Sequence, residues 1–133
     1  VNPVLLDTHA WVWATFESRR LSPLARAALS TAESVCLSAI SFYEITRKAA
    51  LGQWPEMVDR LGELPALLVE QQGREIALDG VACRLAGTLA WDHRDPFDRI
   101  IAAVALTTAM PLVSADPAFD ALRGPYPAFT RLW

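Results

Sequence analysis

Val4-Leu5-Leu6-Asp7-Thr8-His9-Ala10-Trp11 decides how the chain is to be read. Three apolar residues end on a carboxylate, and the following residues run directly into a helical pattern. Such a run is short enough for a strand buried on both faces, as parallel sheets require. The same arrangement recurs at Val35–Ser38 and at Leu112–Ser114, with further strand-like segments at Glu75–Leu78 and Phe129–Leu132. Helical patterns separate them. Strands alternating with helices indicate an α/β fold, a central and mainly parallel sheet of four to five strands flanked by helices.

Helix signals fill the intervals. Ser22-Pro23 reads as an N-cap followed by proline at the first helical position, opening a helix to about Ala32. Ser41-Phe42-Tyr43-Glu44 reads as a capping box, its helix ending near Gly52. From Pro55 to Gln72, apolar residues at helical spacing are interrupted by Gly62 and Pro65, which predicts a hairpin of two short helices. A helix is expected over Asp79–Trp91. Asp95-Pro96 caps another, which continues to Thr108 and is apolar nearly all round, as a central buried helix would be.

At 133 residues, the chain is expected to form one domain spanning residues 1–133. Apolar residues make up 53%, which excludes intrinsic disorder, yet no apolar run reaches membrane-spanning length. The start, Val1-Asn2-Pro3, lacks a basic signal region, so a cytoplasmic location is expected. Cys36 and Cys83 sit in apolar surroundings without metal-binding spacing and read as buried free thiols. The net charge of −3 includes Asp7, Glu44, Asp95, Asp98 and Asp116; neutralising those five leaves a mildly basic remainder, compatible with RNA or DNA.

Parallel strands share one carboxyl edge, and that edge is where open α/β sheets bind ligands. Asp7, Glu44, Asp98 and Asp116 would converge there and repel one another unless a cation lay among them. Oxygen ligands favour Mg²⁺ or Mn²⁺ over zinc. Each acid also has a local use. Asp95 caps a helix, Glu44 pairs with Lys48 one turn on, and Asp116-Pro117 caps a short helix. His9 and His93 read as structural or surface residues, and no Ser/His or Cys/His set indicates a side-chain nucleophile. A metal-activated water acting on a phosphate ester is the simplest chemistry.

Taken together, Leu6-Asp7-Thr8-His9-Ala10, Glu44-Ile45 with Lys48 and Gly52, His93-Arg94-Asp95-Pro96-Phe97-Asp98-Arg99, and Ser114-Ala115-Asp116-Pro117 resemble the motifs of PIN-domain ribonucleases of the VapC toxin type. The resemblance spans nearly the whole chain. It implies a Mg²⁺- or Mn²⁺-dependent endoribonuclease with Asp7, Glu44, Asp98 and Asp116 as metal-binding residues, and Asp95 as an outer ligand or a cap. Thr8 resembles the hydroxyl residue that supports the first aspartate, Ser114 would play the same part beside Asp116, and Lys48 would brace Glu44 or contact phosphate. Arg47, Arg94 and Arg99 are candidate phosphate contacts. The family pattern further implies a homodimer and a VapB-type antitoxin lying over a groove walled by the 55–72 segment. Two other readings stand beside it. One is a non-catalytic PIN-like module that binds RNA or protein, which has no need of a self-repelling acidic cluster. The other is a phosphatase with Asp7 as nucleophile, which Leu6-Asp7-Thr8-His9 supports poorly because Asp7 has no acidic neighbour there.

Overall fold

A computed structural model describes residues 2–133. Its sheet is parallel throughout, in the order β3-β2-β1-β4-β5, with β1 at Val4–Leu6, β2 at Val35–Ser38, β3 at Arg74–Ile76, β4 at Leu112–Val113 and β5 at Arg131–Leu132. The first two strands lie where the sequence puts them. The third is shifted toward its N-terminus and the last is shorter than Phe129–Leu132, as suits edge strands held by one neighbour only.

Side-chain alternation along β1 divides the core. Leu5 faces one layer together with Cys36 and Leu112, against α5 (Gly80–Thr88) and α6 (Pro96–Thr108). Val4 and Leu6 face the other with Leu37 and Val113, against α1 (Thr8–Phe16), α2 (Pro23–Thr31), α3 (Ala39–Ala50) and α4 (Leu64–Glu70). Period-two alternation thus gives each short, fully apolar strand two buried faces. Ile101 to Ala105 are buried, so α6 is the central helix its composition predicts.

Three local expectations are corrected. First, α3 begins at Ala39, capped by Ser38, whose Oγ accepts from the Ile40 N–H at 3.3 Å. Ser41 is therefore inside the helix and buried rather than the residue that opens it. Second, the Pro55–Glu63 segment, a 3₁₀ helix, runs into α4 with Glu63 itself in the helical region, so no loop exists to reverse the chain into a hairpin. Met57 of that segment and Leu64 and Leu68 of α4 are core, whereas Val58 and Val69 are exposed. Third, Cys83 is exposed while Cys36 is buried, and both are free thiols. Gly52 does end the α3 region as expected, at φ +73°, where a side chain would be strained.

The position of β1 matters most for function. The chain builds outward from β1 to β2 and β3, then returns to place β4 on the other side of β1. The carboxyl ends of β1 and β4 therefore flank the point where strand order reverses, and there the helices diverge and leave a crevice.

Candidate active site

Asp7 is the first residue beyond β1, its N–H bonded to the Val113 carbonyl of β4 at 3.0 Å. Ser114, Ala115 and Asp116 follow β4 directly. The first turns of α6 bring Asp98, and the second turn of α3 brings Glu44. Together with Asp95, Lys48, His9, Trp13 and Ala115, these acids line one pocket of about 290 Å³. Five carboxylates separated by up to 109 positions in sequence thus share one cavity, the four of the strand-end reading with Asp95 beside them.

Helix capping holds three of them in place. Asp7 Oδ1 accepts from Ala10 N–H at 2.8 Å, Asp95 Oδ1 from Phe97 N–H at 2.9 Å and Asp98 N–H at 3.3 Å, and Asp116 Oδ1 from Ala118 N–H at 2.9 Å. Each cap fixes a carboxylate with one oxygen against a positive helix end, so the local and the site roles coexist. Glu44 is held differently. Its Oε2 accepts from Lys48 Nζ one turn later, while Oε1 is buried with no hydrogen-bond partner, in a residue only 2% exposed. A bare carboxylate oxygen out of water is costly unless something positive completes it.

Burial pushes the Asp7 carboxyl up to about 7, against the opposing effects of the Ser114 hydroxyl and the Ala10 N–H; the charges of Asp98 and Glu44 raise it further. Burial likewise pushes Asp98 up to about 6, with the His93 hydrogen bond opposing and the charges of Asp95 and Glu44 adding to the rise. These are the expected consequences of like charges drawn into a poorly hydrated cleft.

The supporting residues differ in part from expectation. Thr8 is buried, and its hydroxyl donates to Ser41 Oγ at 2.9 Å; it ties α1 to α3, and so Asp7 to Glu44, without a bond to Asp7 itself. Ser114 Oγ accepts from Asp116 N–H at 3.1 Å, bracing that turn as expected. Arg99 is engaged within the protein. Its guanidinium is spent on the carbonyls of Ala86, Leu89, Trp91 and His93, while Arg47 and Arg94 remain exposed. His93, read from sequence as structural or surface, instead reaches the site, with Nε2 2.8 Å from Asp98 Oδ2. Its five-residue separation from Asp98, across a loop and a proline, has no periodic signature that would have revealed the pairing.

A second, larger groove of about 430 Å³ adjoins the acidic pocket and shares His9 and Trp13 with it. Its other walls come from Val12, Phe16, Glu17 and Arg20 on one side and Trp54, Glu56, Met57 and Arg60 on the other. His9 stacks on Trp54 with ring centroids 4.5 Å apart, and the Arg20 guanidinium lies 4.2 Å over Trp13.

Residues 4–125 match the family model described as PIN domain. The chain belongs to the PIN-domain family. Among curated proteins, this PIN domain is 29% identical to Ribonuclease VapC22 of Mycobacterium tuberculosis over 133 aligned positions, which cover 96% of this chain and 97% of that protein. Solved structures with the same fold include VapBC2 from Rickettsia felis bound to a promoter DNA fragment, with a TM-score of 0.66 and 15% identity over 98% of this chain and 97% of that one. FitAcB from Neisseria gonorrhoeae gives a TM-score of 0.63 and 23% identity over 96% and 95%. A toxin–antitoxin complex from Klebsiella pneumoniae gives 0.59 and 16% over 96% and 95%. At these identities the structural likenesses establish the fold of the PIN domain; its chemistry rests on the pocket.

Proposed function

We propose that this PIN domain is a Mg²⁺- or Mn²⁺-dependent endoribonuclease of the VapC type, hydrolysing RNA phosphodiesters as the toxin of a toxin–antitoxin pair. The observation that carries the reading is the buried, unpartnered Oε1 of Glu44, in a residue that lines one pocket with Asp7, Asp98 and Asp116. Those four carboxylates would hold the ion. A divalent cation bound there supplies positive charge to the phosphate and makes a water more acidic. The residues themselves prepare the site. Lys48 turns Glu44 so that one oxygen stays free, and its ammonium lines the same pocket, within reach of a phosphate. Ser114 and the helix caps fix the aspartates before substrate arrives, so little ordering is left to be done on binding.

Resemblance to a ribonuclease supports RNA as the substrate class. The adjoining groove, in which aromatic rings stand beside two arginines and two glutamates, offers stacking faces to a single strand extending from the cleavage point. Similarity to toxin–antitoxin complexes supports a VapB-type partner, whose segment would lie in that groove against Trp54, Met57 and Arg60 and so occlude the site. A homodimer belongs to the same reading. Among the described residues, no helix is long and apolar enough to cross a membrane.

The test is cleavage of single-stranded RNA by purified protein with Mn²⁺ or Mg²⁺ added, and its loss in EDTA. Cleavage that persists in EDTA would overturn the metal-dependent reading. Asp95 gives a finer expectation. Asparagine caps a helix as well as aspartate, so Asp95→Asn is expected to change stability by less than about 0.5 kcal/mol. If Asp95 serves only as a cap, cleavage also stays within a few-fold of the unmodified rate, whereas a large loss in a stable variant would make its carboxylate a working ligand.

A further inference from the structure

His93 is held from three sides. Its ring stacks on buried Trp91 with centroids 4.6 Å apart and planes 29° from parallel, and its carbonyl accepts from Arg99 Nη1 at 3.0 Å. Its Nε2 lies 2.8 Å from Asp98 Oδ2, with the two side chains 28% and 20% exposed. A ring fixed in this way aims one nitrogen into the acidic site and leaves it little freedom to turn elsewhere.

The aim extends beyond Asp98. One ring nitrogen of His93, one oxygen of Asp98 and one oxygen of Asp116 all lie within 4.8 Å of one another. Ligands about 2.1 Å from an octahedral ion stand about 3.0 Å apart when adjacent and about 4.2 Å apart when opposite. The His93–Asp98 separation of 2.8 Å is close to the first of these distances. Asp116, which follows β4, thus lies within reach of the same nitrogen that meets Asp98 from the loop before α6. Asp98 and Asp116 also line the pocket that Glu44 lines, and the buried Glu44 Oε1 has no hydrogen-bond partner for a positive group to displace.

We infer that His93 is a direct ligand of the divalent ion, a nitrogen donor joining Asp98 and Asp116, and that it shifts the site's preference from Mg²⁺ toward Mn²⁺. The inference rests on the metal-dependent reading above and goes beyond its all-oxygen ligand set. Mg²⁺ is a hard ion that favours oxygen and gives up water reluctantly, whereas a first-row transition ion accepts imidazole more readily. A nitrogen ligand therefore discriminates between two ions that four carboxylates would treat more alike.

The chain has two histidines, so the assignment can be made by spectroscopy. Pulsed electron paramagnetic resonance on the Mn²⁺-loaded protein, carrying ¹⁵N-labelled histidine, is expected to show coupling to a bound imidazole nitrogen. The signal should persist in His9→Gln and vanish in His93→Gln. In calorimetric titrations, the ratio of Mn²⁺ to Mg²⁺ affinity should fall on the order of tenfold in His93→Gln. Mn²⁺ binding without nitrogen coupling in the unmodified protein would overturn the role of His93 and leave the metal site standing. Persistence of the coupling in His93→Gln, or an equal weakening of both ions, would also overturn it; in the latter case His93 only braces Asp98. Absence of any Mn²⁺ binding would overturn the metal-dependent reading together with this one.

Discussion

Replacing Asp7 with asparagine is expected to reduce metal-dependent RNA cleavage by a factor on the order of 100 or more while making the metal-free protein more stable at neutral and alkaline pH. The two effects have one cause. Asp7 is 7% exposed, and burial pushes its carboxyl up to about 7 from an ordinary value of 3.8. Between those values the native state keeps a proton that the unfolded chain has released. Stability of the metal-free protein is therefore fully present below about pH 4 and declines as pH rises through about 7. The rise of roughly three pH units sets the Asp7 contribution at no more than about 4 kcal/mol. An asparagine in this place has no charge to desolvate and can still accept from Ala10 N–H, so the variant loses this part of the slope. Asp98, pushed up to about 6, leaves a smaller decline ending at lower pH. Thermal melts in EDTA from pH 4 to pH 8, paired with cleavage assays in Mn²⁺, test both halves. An Asp7→Asn protein that is less stable at pH 8 and still cleaves would show that Asp7 is neither a strained carboxylate nor a ligand.

The opposite response to metal follows from the same electrostatics. A cation favours ionised carboxylates, so Mn²⁺ is expected to stabilise the unmodified protein more at pH 8 than at pH 5, and to stabilise Asp7→Asn much less at either. A non-catalytic module with a vestigial cluster would lack the metal-dependent gain.

How much of this was legible in the chain depends on the range of the interaction. Val4-Leu5-Leu6-Asp7 could be read because a buried strand and its terminal acid are written in consecutive residues, and the strand-end acids do share one pocket. Asp95-Pro96 and Ser22-Pro23 caps were equally local and lie where expected. The capping box read at Ser41 failed because Ser38 caps the helix instead, and Ser41, inside it, is bonded by Thr8 from thirty-three residues away. Glu44 could be picked out as an acid shortly beyond the Val35–Ser38 run, but its uncompleted oxygen belongs to the fold alone. The contacts of His93 and Arg99 could not be read for the same reason: their partners lie across a loop or on another helix, and no repeat in the sequence records that. The family motifs nonetheless contained both residues, in His93-Arg94-Asp95-Pro96-Phe97-Asp98-Arg99, without recording what either side chain touches.

Arg99→Ala is expected to cost about 3 to 5 kcal/mol of stability and, in whatever protein remains folded, to weaken Mn²⁺ binding by about tenfold or more. The guanidinium donates from Nε to the Ala86 carbonyl at 2.9 Å, from Nη1 to Trp91 at 2.6 Å and His93 at 3.0 Å, and from Nη2 to Leu89 at 3.0 Å. Ala86 and Leu89 belong to the end of α5, which has no basic residue in its own last turn. Arg99 of α6 thus supplies from a neighbouring helix the positive charge and donors that a helix C-terminus otherwise lacks. The same group anchors the loop that carries His93 toward Asp98. Deleting it strands four carbonyls beneath a half-covered surface and frees that loop together. Arg99→Lys should recover little, because one ammonium cannot reproduce a planar fork directed at four acceptors. Urea denaturation separates this role from phosphate binding. A phosphate contact would leave stability unchanged and weaken RNA binding in a salt-dependent way, whereas the hydrogen bonds of Arg99 require the midpoint to fall even with no RNA present.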